Sequence, residues 1–180
     1  MPEDNRDRLI DAVERLAVER PLSQISMRMI AAEAGVSVGL AYYHFDSKGD
    51  LVGEALDRMG AQIATRATDP DLSSDLGQIL AGLEANPAFA KVVASLVLSH
   101  KDVSSIMSGH PLIDKIAARA TEAGAPDPGS VAGVAVLLGL TGELFIPAVN
   151  RAIGRPRDDE RLREALIDMY ETWLSDFDGS

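Results

Sequence analysis

The sequence predicts an all-α protein: an N-terminal three-helix head carrying a helix-turn-helix, followed by a C-terminal helical bundle. Three observations lead there. Apolar residues recur at helical spacing along the chain, and no stretch alternates with the period of two that a strand needs. Proline and glycine fall between the apolar stripes, where helices have to stop. The 180 residues are 46% hydrophobic and contain no cysteine, so a core can form without disulfides or thiolate ligands.

The elements follow in order. Leu9, Ile10, Val13, Leu16 and Ala17 form one stripe, which predicts a helix over 6–20 that Pro21 stops. Ser26 is placed to cap a second helix that buries Met29, Ile30 and Ala34. Gly35 stands where a left-handed turn residue is wanted, with Val36 plugging the core beneath it. Ser37 caps a short third helix. Residues 45–50 end that helix and start a longer one bearing Leu51, Val52, Ala55, Leu56, Met59 and Ile63, which Asp69-Pro70-Asp71 closes. Two further helices carry Leu72, Leu76, Ile79, Leu80 and Leu83, then Phe89, Val92, Val93, Leu96 and Val97, parted by Asn86-Pro87. After a loop over 100–111 comes a helix with Leu112, Ile113, Ile116 and Ala120, and then the loop 124–129. The last two helices are expected over about 130–153 and 158–177. Residues 1–50 then form the head, and 51–180 the body.

Several function classes are disfavoured. His44, His100 and His110 lack metal-ligand spacing, no Ser-His-Asp arrangement can be assembled, and there is no Gly-rich phosphate loop. No enzyme activity, metal or cofactor is expected. The acidic N-terminus has no apolar run like that of a secretory signal, so a cytoplasmic protein is expected. Residues 131–149 are almost wholly apolar, yet Glu143, Thr141 and Pro147 interrupt them, which suits a buried bundle helix and no membrane partner. The net charge is −11, but 22–49 holds two acids and two bases, Glu33, Asp46, Arg28 and Lys48. The helix-turn-helix is thus a neutral window in an acidic chain, and no basic patch supports strong non-specific DNA binding.

The motif reads Ser-x-Arg-x-Ile-Ala-x-x-Ala-Gly-Val-Ser-x-Gly, then Ala-Tyr-Tyr-His-Phe, then Asp-Ser-Lys-x-x-Leu. From Ser26 to Leu51 it resembles the N-terminal domain of the tetracycline-repressor (TetR) family of bacterial transcription regulators. The resemblance implies a DNA-binding head, a ligand-binding body and a homodimer formed by the last two helices. It further implies a repressor that binds a palindromic double-stranded operator and is released by a small-molecule effector, here unidentified. Many members of that family carry Lys where this chain has Val38, and Thr where it has Leu40.

Ser37, Val38, Gly39 and Leu40 would form the first turn of the recognition helix, with Val38 and Leu40 able to touch thymine methyl groups. Tyr43 and His44 suit phosphate or base-edge contacts. Tyr42 is read as core, packed with Phe45 against the first helix. Ser26 and Arg28 would grip the backbone on one side, and Lys48, at a helix start, would form a phosphate clamp on the other. The bland alternatives are a cap for Ser37, a loose helix residue for Gly39, and solvated charges for Arg28 and Lys48.

In the body, Phe89, Leu96, His100, Met107, His110 and Phe145 are candidates for lining an effector pocket, with core packing or surface loop as the competing reading for each. Gly139, Leu166, Tyr170, Trp173 and Leu174 are candidates for the dimer interface, against an ordinary intramolecular core. A helical dimeric interaction protein with a degenerate helix-turn-helix that no longer binds DNA is the alternative function.

Overall fold

The computed structural model describes residues 2–66, 75–99, 106–107, 109–122, 124–154 and 159–175. Among them are nine α-helices and no strand: α1 (Pro2–Glu19), α2 (Met27–Ala34), α3 (Val38–His44), α4 (Lys48–Arg66), α5 (Asp75–Ala85), α6 (Pro87–Leu98), α7 (Pro111–Glu122), α8 (Pro128–Ala152) and α9 (Asp159–Ser175). A 3-10 turn over Leu22–Gln24 joins α1 to α2. The predicted stop at 69–71, Leu72, Phe177 and most of the loop after His100 lie outside the described residues.

Packing divides the chain into two compact units, Met1–Met59 with Pro87–Gly109, and Gly60–Asn86 with His110–Ser180. The sequence reading placed one cut after residue 50. In the structure the first unit runs nine residues further and takes in α6 as well.

The first unit is built on the apolar stripe of α1. Leu9, Ile10, Val13, Leu16 and Ala17 are buried, with Ala12 filling the same face. Leu51, Val52, Ala55, Leu56 and Met59 of α4 are buried too. Each Leu, Ile, Val or Met side chain withdrawn from water contributes about 1.5–3 kcal/mol before chain entropy is counted. Ion pairs fasten α4 to α1. The Arg58 guanidinium donates from Nε and Nη2 to Glu14 Oε1 at 3.0 and 2.9 Å, and Nη2 also reaches Asp11. Burial by itself lowers the Arg58 pKa, and the hydrogen bonds it donates to Glu14 and Asp11 outweigh that and raise it.

In the second unit α8 packs on α5, α7 and α9. Val131, Ala132, Ala135, Gly139, Gly142, Ile146 and Asn150 form its buried side. Asp127 caps it, its carboxylate accepting from the Ser130 backbone N–H at 3.2 Å and from its hydroxyl. Those bonds, the Ser130 hydroxyl first, hold the Asp127 carboxyl below the usual range.

By length and composition α8 could cross a membrane, with a mean hydropathy of 1.9 in its most apolar window. Two of its polar side chains meet polar groups within the unit, as suits a bundle helix. Asn150 donates to Asp159 at 2.7 Å, and Arg163 faces Glu143 at 3.8 Å.

Candidate DNA-binding surface

Local chemistry builds the helix-turn-helix. Ser26 Oγ accepts from the Met29 N–H at 3.3 Å, and Ser37 Oγ from the Leu40 N–H at 3.1 Å, so each hydroxyl satisfies a first-turn donor. Gly35 adopts φ 67°, ψ 35°. Its N–H donates to Ala32 O at 3.1 Å, and the Val36 N–H reaches back to Ala31 O at 2.9 Å. This paired pattern is the Schellman stop, and it lets α3 leave at once in a new direction. Met27, Ile30, Ala31 and Ala34 seat α2 in the core, and Ala41 and Phe45 seat α3. Met29, expected in the buried face, is only half-buried.

The outward side of α3 carries Gly39, Tyr42 and Tyr43, with Val38, Leu40 and His44 half-exposed. Tyr43 is 80% exposed and meets the His44 ring edge-on, centroids 5.3 Å apart. One expectation is corrected here. Tyr42 is not core: it is 54% exposed. In a seven-residue helix, Ala41 and Phe45 lie four apart and already fill the inward stripe, which turns Tyr42 outward.

Lys48 also differs from its expected role. Its Nζ donates to Leu22 O at 2.9 Å and to Ile25 O at 2.8 Å. The ammonium turns inward to hold the main chain that leads into α2, bonding Ile25 O and adding a second donor to Leu22 O, which also accepts from the Ile25 N–H at 3.2 Å. Arg28 is exposed, and no ion pair engages it among the described residues. Arg6, in contrast, lies 4.8 Å from the centre of the Phe45 ring while its Nε donates to Glu54 at 2.6 Å. It thereby joins α1, the end of α3 and α4, and the bond to Glu54 raises its pKa. Sequence reasoning missed Arg6 and Arg58, because their partners lie 44–48 residues away. The one available hint was the 7, 11, 14 spacing of acids along α1.

The family described as "Bacterial regulatory proteins, tetR family" matches residues 9–55, which span α2, the Gly35 turn and α3. Residues 9–55 are a TetR-family helix-turn-helix domain. It is 28% identical over 148 residues to the HTH-type transcriptional repressor Rv3405c of Mycobacterium tuberculosis, covering 81% of this chain and 76% of that protein. A transcriptional regulator from a Rhodococcus species has the same fold, with TM-score 0.68, 21% identity, and 92% and 95% of the two chains covered. So does BioQ crystallised with its double-stranded DNA operator (TM-score 0.56, 20% identity, 92% and 96% covered). So, too, does SmeT in complex with triclosan (TM-score 0.55, 18% identity, 92% and 89% covered). A TetR-family helix-turn-helix at the N-terminus, with HTH-type transcriptional regulators among its relatives, points to a regulator of transcription, and that family is not one of enzymes.

The body candidates fare differently. Phe89 and Leu96 are buried, whereas Phe145 is 58% exposed on α8. Met107 and His110 are half-buried, and His100 lies outside the described residues. A cleft of about 290 Å³ is lined by Arg15, Leu16, Val18, Glu19 and Glu33, none of them predicted. Two interface candidates are also corrected. Gly139 faces α5, where a Cβ would stand 2.6 Å from Ile79 Cγ2. Tyr170 is buried, its ring beside Trp173 with centroids 5.9 Å apart. Both are consumed by packing inside the second unit, since α8 has to bring its small residues against α5 to close the bundle. Leu166 and Trp173 are half-buried, and the Leu174 side chain is outside the described set. Among the described residues of the second unit, the large apolar side chains left open are Ile113, Leu137 (63% exposed), Phe145, Val149, Ile153 and Met169.

Proposed function

We propose that this TetR-family regulator is a repressor that binds a palindromic operator as a homodimer and is released when a small molecule binds its body, residues 51–180. Residues 1–50 are the reading head, working in the cytoplasm where chromosomal DNA is reached. The observation that carries the reading is the capped Ser26–Gly35–Ser37 turn, which presents α3 with an outward Val38, Gly39, Leu40, Tyr42 and Tyr43 surface. A helix so presented fits the major groove, and two related by a two-fold axis read half-sites about one helical turn apart.

The α8 residues Leu137, Phe145 and Val149, with Ile153 and Met169, support the dimer. Leu137, Phe145, Val149 and the C-cap Ile153 follow one another at intervals of eight, four and four, and monomers rarely leave such an apolar stripe in water. BioQ on its operator and SmeT with triclosan share the fold and lend the operator and effector parts of the proposal their precedent.

Footprinting on the intergenic DNA upstream of the chain's own gene, at low salt, tests it. A protected palindrome is expected, lost on adding the effector. Absence of any protected site there or genome-wide would instead support the interaction protein with a degenerate helix-turn-helix, a reading that the inward-turned Lys48 favours.

A further inference from the structure

We infer that the recognition helix reads its operator chiefly through the 5-methyl groups of thymine, using Val38 and Leu40. The inference rests on the operator-binding reading above and adds what is read. Sequence discrimination in the major groove usually comes from side chains that form two parallel hydrogen bonds, Arg or Lys on guanine and Asn or Gln on adenine, or from carboxylates on cytosine. The α3 sequence Val-Gly-Leu-Ala-Tyr-Tyr-His contains none of these six residue types. The one polar group before it, Ser37 Oγ, already accepts from the Leu40 N–H. Lys48, the nearest cation downstream, is turned onto Leu22 and Ile25.

Beside the outward tyrosines stands His44, the last residue of α3, whose Nε2 is buried, and the rest of the surface is apolar. Val38 and Leu40 are half-exposed on the first turn, and Gly39 between them has no side chain to hold the base edges away. The Tyr42 and Tyr43 hydroxyls lie further along α3, where they can bond phosphate and set the register without specifying a base. The feature of the major groove that two aliphatic side chains can recognise is the thymine methyl, the only apolar group exposed there.

The test removes that methyl and nothing else. Operator duplexes are made with deoxyuridine for thymidine throughout both half-sites, or only in the spacer between them. Uracil keeps every hydrogen-bonding group that thymine presents. Removing one buried methyl group weakens binding about fourfold, so one such methyl per half-site gives roughly 15-fold for the dimer. The half-site substitution should therefore weaken binding at least tenfold, and the spacer substitution less than twofold. In the Val38→Ala and Leu40→Ala proteins the thymine-to-uracil ratio should fall toward one. A general loss of folding would not change that ratio. Half-site uracil duplexes bound within twofold of the thymine operator would overturn the inference while leaving operator binding intact. Failure to bind any duplex would overturn both.

Discussion

Replacing Lys48 with methionine separates two roles that the position combines in principle. Methionine keeps the apolar stem and removes the ammonium. The Nζ donates to Leu22 O and Ile25 O at 2.9 and 2.8 Å, so the variant leaves two main-chain acceptors without their charged donor. A hydrogen bond to a charged group is worth about 1.5–3 kcal/mol when shielded. Lys48 is only half-buried and water can replace part of that, so about 1–2 kcal/mol is expected for the pair. With a urea dependence of about 1–3 kcal/mol per molar, the unfolding midpoint should fall by about 0.5–1 M. Far-UV circular dichroism is the suitable probe, since the single tryptophan, Trp173, belongs to the other unit. A salt titration of operator binding supplies the second readout. Removing one phosphate-neutralising cation from each protomer would reduce the log–log slope by about 1.8 per dimer. Because the ammonium is turned inward, the slope should stay within experimental scatter of the parent's. An unchanged midpoint together with a slope reduced by about 2 would refute the reasoning and restore Lys48 as a phosphate clamp.

Other perturbations follow from the same geometry. Arg28→Ala should weaken all operators alike and reduce the salt slope by about 1.8 per dimer, read by fluorescence anisotropy, because Arg28 is the exposed helix-turn-helix cation left without an ion pair among the described residues. Gly35→Ala places a side chain at φ 67° and should destabilise the fold by about 1–2 kcal/mol in urea titrations. Gly139→Ala, whose Cβ would meet Ile79 Cγ2 at 2.6 Å and Leu83 Cδ1 at 3.2 Å, should lower stability by about 1–3 kcal/mol. Phe145→Glu, on the open face, should instead give monomers in sedimentation where the parent gives the proposed dimer, with little loss of helicity. The Asp127 carboxyl, bonded to Ser130, has a folded pKa below its unfolded one. Its contribution is therefore complete above the unfolded pKa and lost as pH falls through the folded one. Asp127→Ala should lower the melting temperature at pH 7, and the difference from the parent should vanish in acid.

Much of the head was legible because its signals are local. A serine followed by a helical stripe, a glycine at its end and a second serine two residues later define the caps and the turn without help from distant residues, and the structure has all three. The stripes of α1 and α4 were equally readable, since a period of 3.6 marks a buried face whatever it packs on. The failures share a cause. Tyr42, Lys48, Gly139 and Tyr170 were each assigned a direction, and direction depends on which stripe is already filled and which carbonyls need a donor. In α8, apolar on nearly every side, hydropathy could not separate the face that meets α5 from the face left to solvent.

The sequence by itself determined the all-α class, the capped turn, the order of the helices and the neutral, uncharged recognition helix, because all of these depend on residues within a turn or two of one another. Only the tertiary structure decided that Lys48 clips the main chain, that Arg6 and Arg58 bind α4 to α1, and that Leu137 and Phe145, not Gly139 and Tyr170, form the open apolar face. Those outcomes depend on groups brought together from 23 to 60 residues apart. At such separations close packing and hydrogen-bond satisfaction choose the partner, and neither leaves a periodic trace in the chain.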